Sequence, residues 1–138
     1  MKVLLDTNVI LDVWLAREPY WRDSANLLAK AETGEIEGWI CPTTITTLHY
    51  LGRKSLGEQR TRALLTQLIT ICKVGKMSQQ TITKALESKV SDFEDAVLES
   101  LSSDNGIALI ATRNTSDFRK SKVPAKEPSE IFQVTSKN

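Results

Sequence analysis

Polar side chains follow two short apolar runs, and their types suit chemistry that depends on a metal ion. Asp6-Thr7-Asn8 comes directly after Val3-Leu4-Leu5, and a cluster from Arg113 to Asp117 ends the run 107–112. Short, bounded apolar runs are typical of strands buried in a sheet. In a parallel sheet the carboxyl ends of the strands lie at one edge, where ligands bind. We therefore expect both polar clusters to face the same edge.

A third acidic group lies on a predicted helix that precedes the second run. Asp92, Asp95 and Glu99 occur at positions i, i+3 and i+7, so they share one helix face. If the start of this helix meets the end of the first strand, Asp6 and Asp95 approach each other. Asp92 and its neighbour Glu94 are expected first to cap the helix and oppose its dipole, and only then to bind metal.

Carboxylates that converge in one cleft repel each other, so they must bind a cation or take up protons. Oxygen ligands favour magnesium or manganese, and the presence of a single histidine, His49, argues against a zinc site. A metal held by carboxylates with open positions can activate water and stabilise a phosphate under attack. The residue types therefore indicate hydrolysis of phosphodiester bonds.

Two groups of basic residues could bind a nucleic-acid backbone, although exposed cations are more often plain solvated surface. The first group is Arg113, Arg119, Lys120, Lys122 and Lys126, and the second is Arg53, Lys54, Arg60 and Arg62. The formal net charge of +1 excludes a globally basic nucleic-acid binder. Binding would therefore depend on a local basic surface.

Strands alternate with helices along the chain, which predicts an α/β domain with a parallel sheet covered on both faces. Strands are predicted at residues 3–5, 38–41, 71–74 and 107–112, and helices at 9–16, 20–31, 43–54, 58–70, 78–89 and 91–103. Thr7 or Asn8 is expected to cap the first helix. Ser91 and Glu94 are expected to form a capping box on the last one.

The chain of 138 residues, 41% hydrophobic and 25% charged, fits one ordinary domain with its own core. We predict a single domain over residues 1–134 and a short tail over residues 135–138. No apolar run approaches the roughly 20 residues of a membrane span. Cys41 and Cys72 lie in apolar runs without a C-x-x-C motif, so we expect no disulfide scaffold and a cytoplasmic location.

Three segments resemble the PIN-domain family. LLDTNVILD at Leu4–Asp12 resembles the opening strand and first acid, SDFEDAVLESL at Ser91–Leu101 the central acidic helix, and IATRNTSDF at Ile110–Phe118 the last strand and its polar end. The resemblance implies a PIN-like three-layer α/β/α domain with a central, mostly parallel sheet. Many small members are VapC-type toxins, magnesium-dependent ribonucleases held inactive by an antitoxin. It therefore implies RNA as substrate, Mg²⁺ or Mn²⁺ as cofactor, a small antitoxin as partner and a homo-oligomer.

The family's site residues carry over position by position. Asp6 and Asp95 match the two best-defined metal-binding acids. Asp117 matches the last acid, or Asn114 does, because Asn114 occupies the position where an aspartate is common. The resemblance makes Asp6, Asp95 and Asp117 the catalytic acids. The residues expected to contact the substrate or support these acids are Asn8, Thr112, Arg113 and Asn114.

One departure concerns the helix predicted at residues 43–54, which contains no acid where the family usually has a glutamate. Thr47 or a neighbour aligns with that position, so the metal site lacks one negative charge. Asp92, Glu94 or Glu99 could supply it, and the sequence does not decide among them.

Two other functions are compatible with these residues. A PIN-like module that has lost activity and binds RNA or a protein would explain the missing glutamate and Asn114. A phosphatase of the haloacid dehalogenase type also begins with a strand and an aspartate. That family needs a second aspartate where this chain has Asn8, and usually a cap domain and a longer chain.

Overall fold

The computed structural model describes residues 1–131, which form a five-stranded parallel sheet flanked by helices. The strands are β1 (Lys2–Leu5), β2 (Glu37–Ile40), β3 (Cys72–Val74), β4 (Leu109–Ala111) and β5 (Ala125–Lys126). The helices are α1 (Thr7–Trp14), α2 (Trp21–Thr33), α3 (Pro42–Leu56), α4 (Glu58–Ile71), α5 (Gln79–Leu86) and α6 (Phe93–Asp104), and a 3-10 helix spans Thr115–Phe118. The predicted domain end at residue 134 and the tail at 135–138 lie outside the described residues.

The order of the strands places β1 at the centre of the sheet. The order is β3-β2-β1-β4-β5, and every pair of neighbours is parallel. Leu5 pairs with Ala111, so the ends of β1 and β4 lie side by side. Asp6 and Thr112 directly follow these two positions, which brings the two polar clusters of the sequence to one edge, as predicted.

Alternating side chains of β1 enter two separate cores, because successive residues of a strand point to opposite faces. Val3 and Leu5 pack with residues of α1 to α4, including Leu27 and Leu48. Leu4 packs on the other face with residues of α5 and α6. The predicted α/β class and three-layer architecture are confirmed. None of the helices in the described part of the chain is long and apolar enough to cross a membrane.

At the two helices that border the acidic edge, the predicted caps Thr7 or Asn8 and Ser91 are wrong, whereas the expected capping role of Asp92 is confirmed. Asp6, not Thr7 or Asn8, is the N-cap of α1, and its carboxylate accepts from the Thr7 amide at 2.7 Å. Asp92, not Ser91, caps α6 by accepting from the Asp95 amide at 3.1 Å. Both caps are therefore also members of the acidic group.

The strand β5 is absent from the sequence-based prediction, which treats the run before the late polar cluster as the last strand. Its two residues pair with Ile110 and Ala111 of β4. Two residues are too short for any periodicity to show. The other strands and helices agree with the prediction to within a few residues at their ends.

Candidate active site

Asp6 is the most buried carboxylate of the acidic edge, with 7% of its surface exposed. Its backbone amide donates to the carbonyl of Ala111, which continues the ladder between β1 and β4 for one residue. Its side chain accepts from the Thr112 hydroxyl at 2.8 Å as well as from the Thr7 amide. These hydrogen bonds hold the Asp6 carboxylate in place, but neither donor carries a positive charge.

Thr112 and Asn8 form a polar brace behind Asp6. The Thr112 hydroxyl is fully buried and also accepts from the Asn114 amide at 3.1 Å. The Asn8 amide group donates to Asp6 and to the Thr112 hydroxyl, each at 3.5 Å, and its oxygen accepts from the Arg113 amide at 3.3 Å. The brace joins the start of α1 to the end of β4, so it orients Asp6.

The start of α6 brings Asp92, Glu94 and Asp95 to the same edge. Burial first, and then the charges of Asp6, Asp92, Asp117 and Glu94 in that order, together raise the pKa of Asp95 to about 7. The convergence of Asp6 with Asp95, predicted from residues far apart in the chain, is thus visible in the effect of the Asp6 charge on the pKa of Asp95.

The same repulsion acts on the other members. Burial, then the charges of Asp117 and Asp92, raise the pKa of Asp6, against the hydrogen bonds from Thr112 and Thr7 that lower it. Burial and the charges of Asp6 and Asp92 likewise raise the pKa of Glu94. We call Asp6, Asp92, Glu94, Asp95 and Asp117 the acidic cluster. It combines excess negative charge with oxygen donors only.

The donor chemistry of the acidic cluster fits a hard divalent cation, because such ions take carboxylate oxygens and offset their repulsion. Within residues 1–131, however, no three His, Cys, Asp or Glu side chains are arranged closely enough to form a ready-made metal site. Of the other acids, Asp6 exerts the largest charge effect on Asp95, so these two carboxylates could share an ion. The helix α3 contributes no acid, and the Thr47 hydroxyl donates to its own helix at the Thr43 carbonyl.

Glu99 has a structural role away from the acidic cluster. Its buried carboxylate accepts from the Ser88 hydroxyl at 2.5 Å and from the Lys122 amide at 2.7 Å. It therefore joins α6 to the segments before α6 and before β5. The expectation that Glu99 supplies the missing metal ligand finds no support in this geometry, because both carboxylate oxygens are already engaged.

Asp117 and Asn114 differ in what the structure assigns to them. Asp117 lies in the 3-10 helix after β4, and its charge raises the pKa of both Asp6 and Asp95. Asn114 precedes this helix, but its side chain makes no cap bond there. Of the two alternatives left open by the sequence, Asp117 is the one that faces the acids.

Arg113 is held by an aspartate that the sequence analysis did not select. Its guanidinium donates to both oxygens of the fully buried Asp12, at 2.6 and 3.1 Å, and lies 4.1 Å from the centre of the Tyr20 ring. Arg17 lies 3.7 Å from the same carboxylate. Arg113 thus locks the end of β4 against α1 and is not a free cation for a substrate. A position one helical turn after Asn8 was the only signal for Asp12 in the sequence.

The second predicted basic group lies far along α3 and α4. At a rise of 1.5 Å per residue, Arg53 is about 16 Å along the axis from the start of α3, which is the end nearer to the acidic edge. Arg53 and Lys54 stack on the ring of Tyr50, and Arg62 pairs with Glu58. The geometry therefore gives this group no place beside the acidic cluster.

Residues 2–116 of the sequence match the family model of the PIN domain. The chain belongs to the PIN-domain family. Nucleases of this family generally use divalent metal ions, which agrees with the oxygen donors of the acidic cluster. A search of curated protein sequences gave no match.

Several solved structures with the same fold are toxins or toxin–antitoxin complexes. VapBC2 from Rickettsia felis, bound to a promoter DNA fragment, has a TM-score of 0.70 at 15% identity, covering 92% of this chain and 98% of that one. A toxin–antitoxin complex from Klebsiella pneumoniae has a TM-score of 0.69 at 23% identity and covers 91% and 97%. VapC20 from Mycobacterium tuberculosis, described as a toxin that cleaves the sarcin-ricin loop, has a TM-score of 0.68 at 15% identity and covers 83% and 92%. The TM-scores establish a common fold despite the low sequence identities.

Proposed function

We propose that this PIN-domain protein is an endoribonuclease that depends on a divalent metal ion, with Mg²⁺ as the natural ion and Mn²⁺ as a substitute. The observation that carries the proposal is the acidic cluster, where burial and the repulsion between its members raise the pKa of Asp95 to about 7. Such an arrangement is costly to keep in a fold unless a cation offsets it. Membership in a family of nucleases assigns the chemistry, and the fold shared with a toxin that cleaves an RNA loop favours RNA.

The residues divide into two roles in this proposal. Asp6 and Asp95 hold the ion, and Asp92, Glu94 and Asp117 add negative charge and accept hydrogen bonds from its hydration shell. When bound, the ion activates water and offsets the charge that develops on the phosphate. Asn8 and Thr112 act behind Asp6 and keep its carboxylate in one orientation, as the supporting residues of metal sites commonly do.

Cleavage of RNA in the presence and absence of Mg²⁺ tests the proposal. We expect Asp6→Asn and Asp95→Asn to lower the rate at least about 100-fold, because even residues that only support a metal ligand are worth roughly 10–100-fold. Asp23→Asn is the matched control, since Asp23 is exposed in the first turn of α2. Equal cleavage by all four proteins would reject the mechanism.

The proposal extends to a toxin with a small antitoxin, because two of the compared structures, VapBC2 and the Klebsiella complex, contain an antitoxin. A basic side chain of the antitoxin would insert among the acids and replace the ion as counter-charge. The protein would act in the cytoplasm and form a homo-oligomer. Expression without a partner should arrest growth, co-expression of the product of an adjacent short reading frame should restore it, and normal growth in the first case would count against a toxin.

A second candidate function is a PIN-like module that binds RNA or a protein without cleaving it. The observation in its favour is that the described residues hold no ready-made set of three metal ligands and that α3 carries no acid. A titration with Mg²⁺ separates the two functions. A weakened module should show neither stabilisation by the ion nor cleavage.

A further inference from the structure

Two depressions with shared wall residues lie one after the other along α6, and the first of them adjoins the acidic cluster. The first has a volume of about 260 Å³ and lies between the segment before α6 and the 3-10 helix, with Asp92 and Asp117 in its wall. The second, of about 340 Å³, continues along α5 and α6. Lys89 and Lys120 line both depressions, so the two form one groove that opens at the acidic cluster. We call it the basic groove.

The cations of the basic groove are available to a ligand. Lys89, Arg119, Lys120 and Lys122 line it, and within residues 1–131 none of their side chains takes part in a salt bridge. All four residues are exposed. Lys84, at the far end, is already paired with Asp104 at 2.8 Å.

The walls of the groove are held together by the buried carboxylate of Glu99. Ser88, whose hydroxyl donates to Glu99, accepts in turn from the Val90 amide at 3.0 Å, and Lys89 lies between these two residues. On the other wall, the Lys122 amide donates to the second oxygen of Glu99. One buried side chain therefore holds the segments on both sides of the groove. Lysines that only face solvent do not require such a fixed backbone.

We propose that the basic groove binds the sugar-phosphate backbone of RNA next to the phosphodiester that is cleaved, and that Glu99 is the positioning residue for this subsite. The proposal rests on the proposed function, because the acidic cluster fixes which phosphate is cleaved. A strand with one phosphate at the acidic cluster must leave along a path that offers charge to its next phosphates. The groove begins at Asp92 and Asp117 and continues between Lys89 and Lys120, so it provides this path.

Binding of a fluorescent twelve-nucleotide oligouridylate, measured by anisotropy in EDTA at several salt concentrations, tests the subsite without requiring cleavage. We expect Lys120→Glu to raise the Kd about 10-fold and to reduce the slope of log K against log salt by about 0.7, the value for one phosphate contact with a single strand. Lys76→Glu is the matched control, because it makes the same charge change at an exposed lysine. Lys76 follows β3, which is the outer strand on the side of the sheet away from β5. The Kd of Lys76→Glu should stay within about twofold of the unmodified protein.

The role of Glu99 is tested by a pair of variants in the same assay. Glu99→Ala removes both acceptors and should weaken RNA binding several-fold with a reduced salt slope. Glu99→Gln keeps one acceptor oxygen and should restore most of the affinity. A purely structural role for Glu99 would lower thermal stability in both variants and leave the salt slope unchanged, which would overturn the assignment as a positioning residue.

The outcomes separate the subsite from the proposed function. If Lys120→Glu binds the oligonucleotide as Lys76→Glu does, or if the unmodified protein does not bind it, the subsite is wrong even when cleavage with Mg²⁺ is intact. If the groove variants bind weakly but no protein cleaves RNA, the nuclease proposal fails and the groove stands as an RNA-binding surface without a cleavage site. Tighter binding of a polyglutamate peptide of equal length would overturn RNA as the occupant in favour of an acidic protein partner.

Discussion

Asp6, the N-cap of α1, and Asp12, in the second half of that helix, are buried to a similar degree but have opposite electrostatic surroundings. Asp12 has no exposed surface and receives two hydrogen bonds from Arg113, with Arg17 nearby. Asp6 has 7% of its surface exposed and receives hydrogen bonds only from uncharged groups, and three further carboxylates act on it or on its neighbour Asp95. The fold therefore compensates one buried charge itself and leaves the other uncompensated.

The difference indicates which charge serves the structure and which serves a ligand. A buried ion pair with two good hydrogen bonds holds two segments in register, and breaking it is strongly destabilising. A group of carboxylates without a cation destabilises the metal-free fold at neutral pH and gains from any ion that binds there. Four measurements can break or sharpen this contrast, and they are given in order of decreasing effect.

Arg113→Ala should destabilise the protein by about 3 kcal/mol, because it leaves the Asp12 carboxylate buried without its two hydrogen bonds. Urea unfolding at pH 7 measures the loss. The matched control is Arg22→Ala, which removes an exposed pair with Glu18 at 2.7 Å and should change the stability by less than about 1 kcal/mol. Equal losses in the two variants would mean that Asp12 is not held by Arg113.

Thr112→Val should cost about 2 kcal/mol, because the variant keeps the shape of the side chain but leaves Asp6 without its buried donor. Thr44→Val makes the same substitution at a fully buried hydroxyl for which the described residues provide no hydrogen-bond partner. We expect Thr44→Val to be neutral or slightly stabilising in the same unfolding experiment. A larger loss for Thr44→Val than for Thr112→Val would contradict the brace behind Asp6.

Mg²⁺ should stabilise the unmodified protein by about 1.4 kcal/mol at an ion concentration ten times its Kd, as expected for a ligand that binds only the folded state. Asp95→Asn should abolish most of this effect, whereas Asp104→Asn, which alters an acid paired with Lys84, should not. Thermal melting at pH 8 with and without the ion measures it. Stabilisation of Asp95→Asn equal to that of the unmodified protein would place the ion elsewhere.

The smallest effect is a pH dependence of stability in EDTA. The pKa of Asp95 is raised from 3.8 to about 7 in the folded state, so the folded protein binds the Asp95 proton more tightly than the unfolded chain does. The contribution of Asp95 is therefore fully present below about pH 4 and is lost as the pH rises through 7.

Asp95→Asn should melt at nearly the same temperature as the unmodified protein at pH 4 and a few degrees higher at pH 8. Melting temperatures of both proteins measured between pH 4 and pH 8 show whether Asp95 stabilises or destabilises the fold as the pH rises. A variant that melts lower than the unmodified protein at pH 8 in EDTA would show that Asp95 is not repelled by its neighbours.

Local patterns predicted most of the fold, because hydrophobic periodicity and strand-ending polar residues act over a few residues. The strands that end just before Asp6 and Thr112 and the helix that contains Asp95 were placed correctly, and their order implied a shared edge. The strand β5 was missed because two residues carry no periodicity. Thr7 or Asn8 was chosen as a cap in place of Asp6, and Ser91 was named beside Asp92, because Ser, Thr, Asn and Asp are nearly equal as N-caps and composition alone does not choose among adjacent candidates.

The pairings of charged groups could not be predicted. Arg113 binds Asp12 across 101 positions of the sequence, and the spacing of Glu99 suggested a metal ligand while its carboxylate binds Ser88 and Lys122. Lys89 did not stand out as a candidate, because nothing near it in the sequence distinguishes it from other exposed lysines. Each of these assignments depends on which segments the sheet brings together.

The amino-acid sequence by itself determined the class of the fold, the membership in the PIN-domain family and the side chains that could bind a metal ion. Residue type sets whether an oxygen can coordinate, and periodicity sets whether a segment becomes a strand or a helix. The tertiary structure decided which acids meet, which acid is neutralised by an arginine and which one braces a groove. Charges interact through space with a strength that depends on distance and burial, and the packing of segments far apart in the chain fixes both quantities.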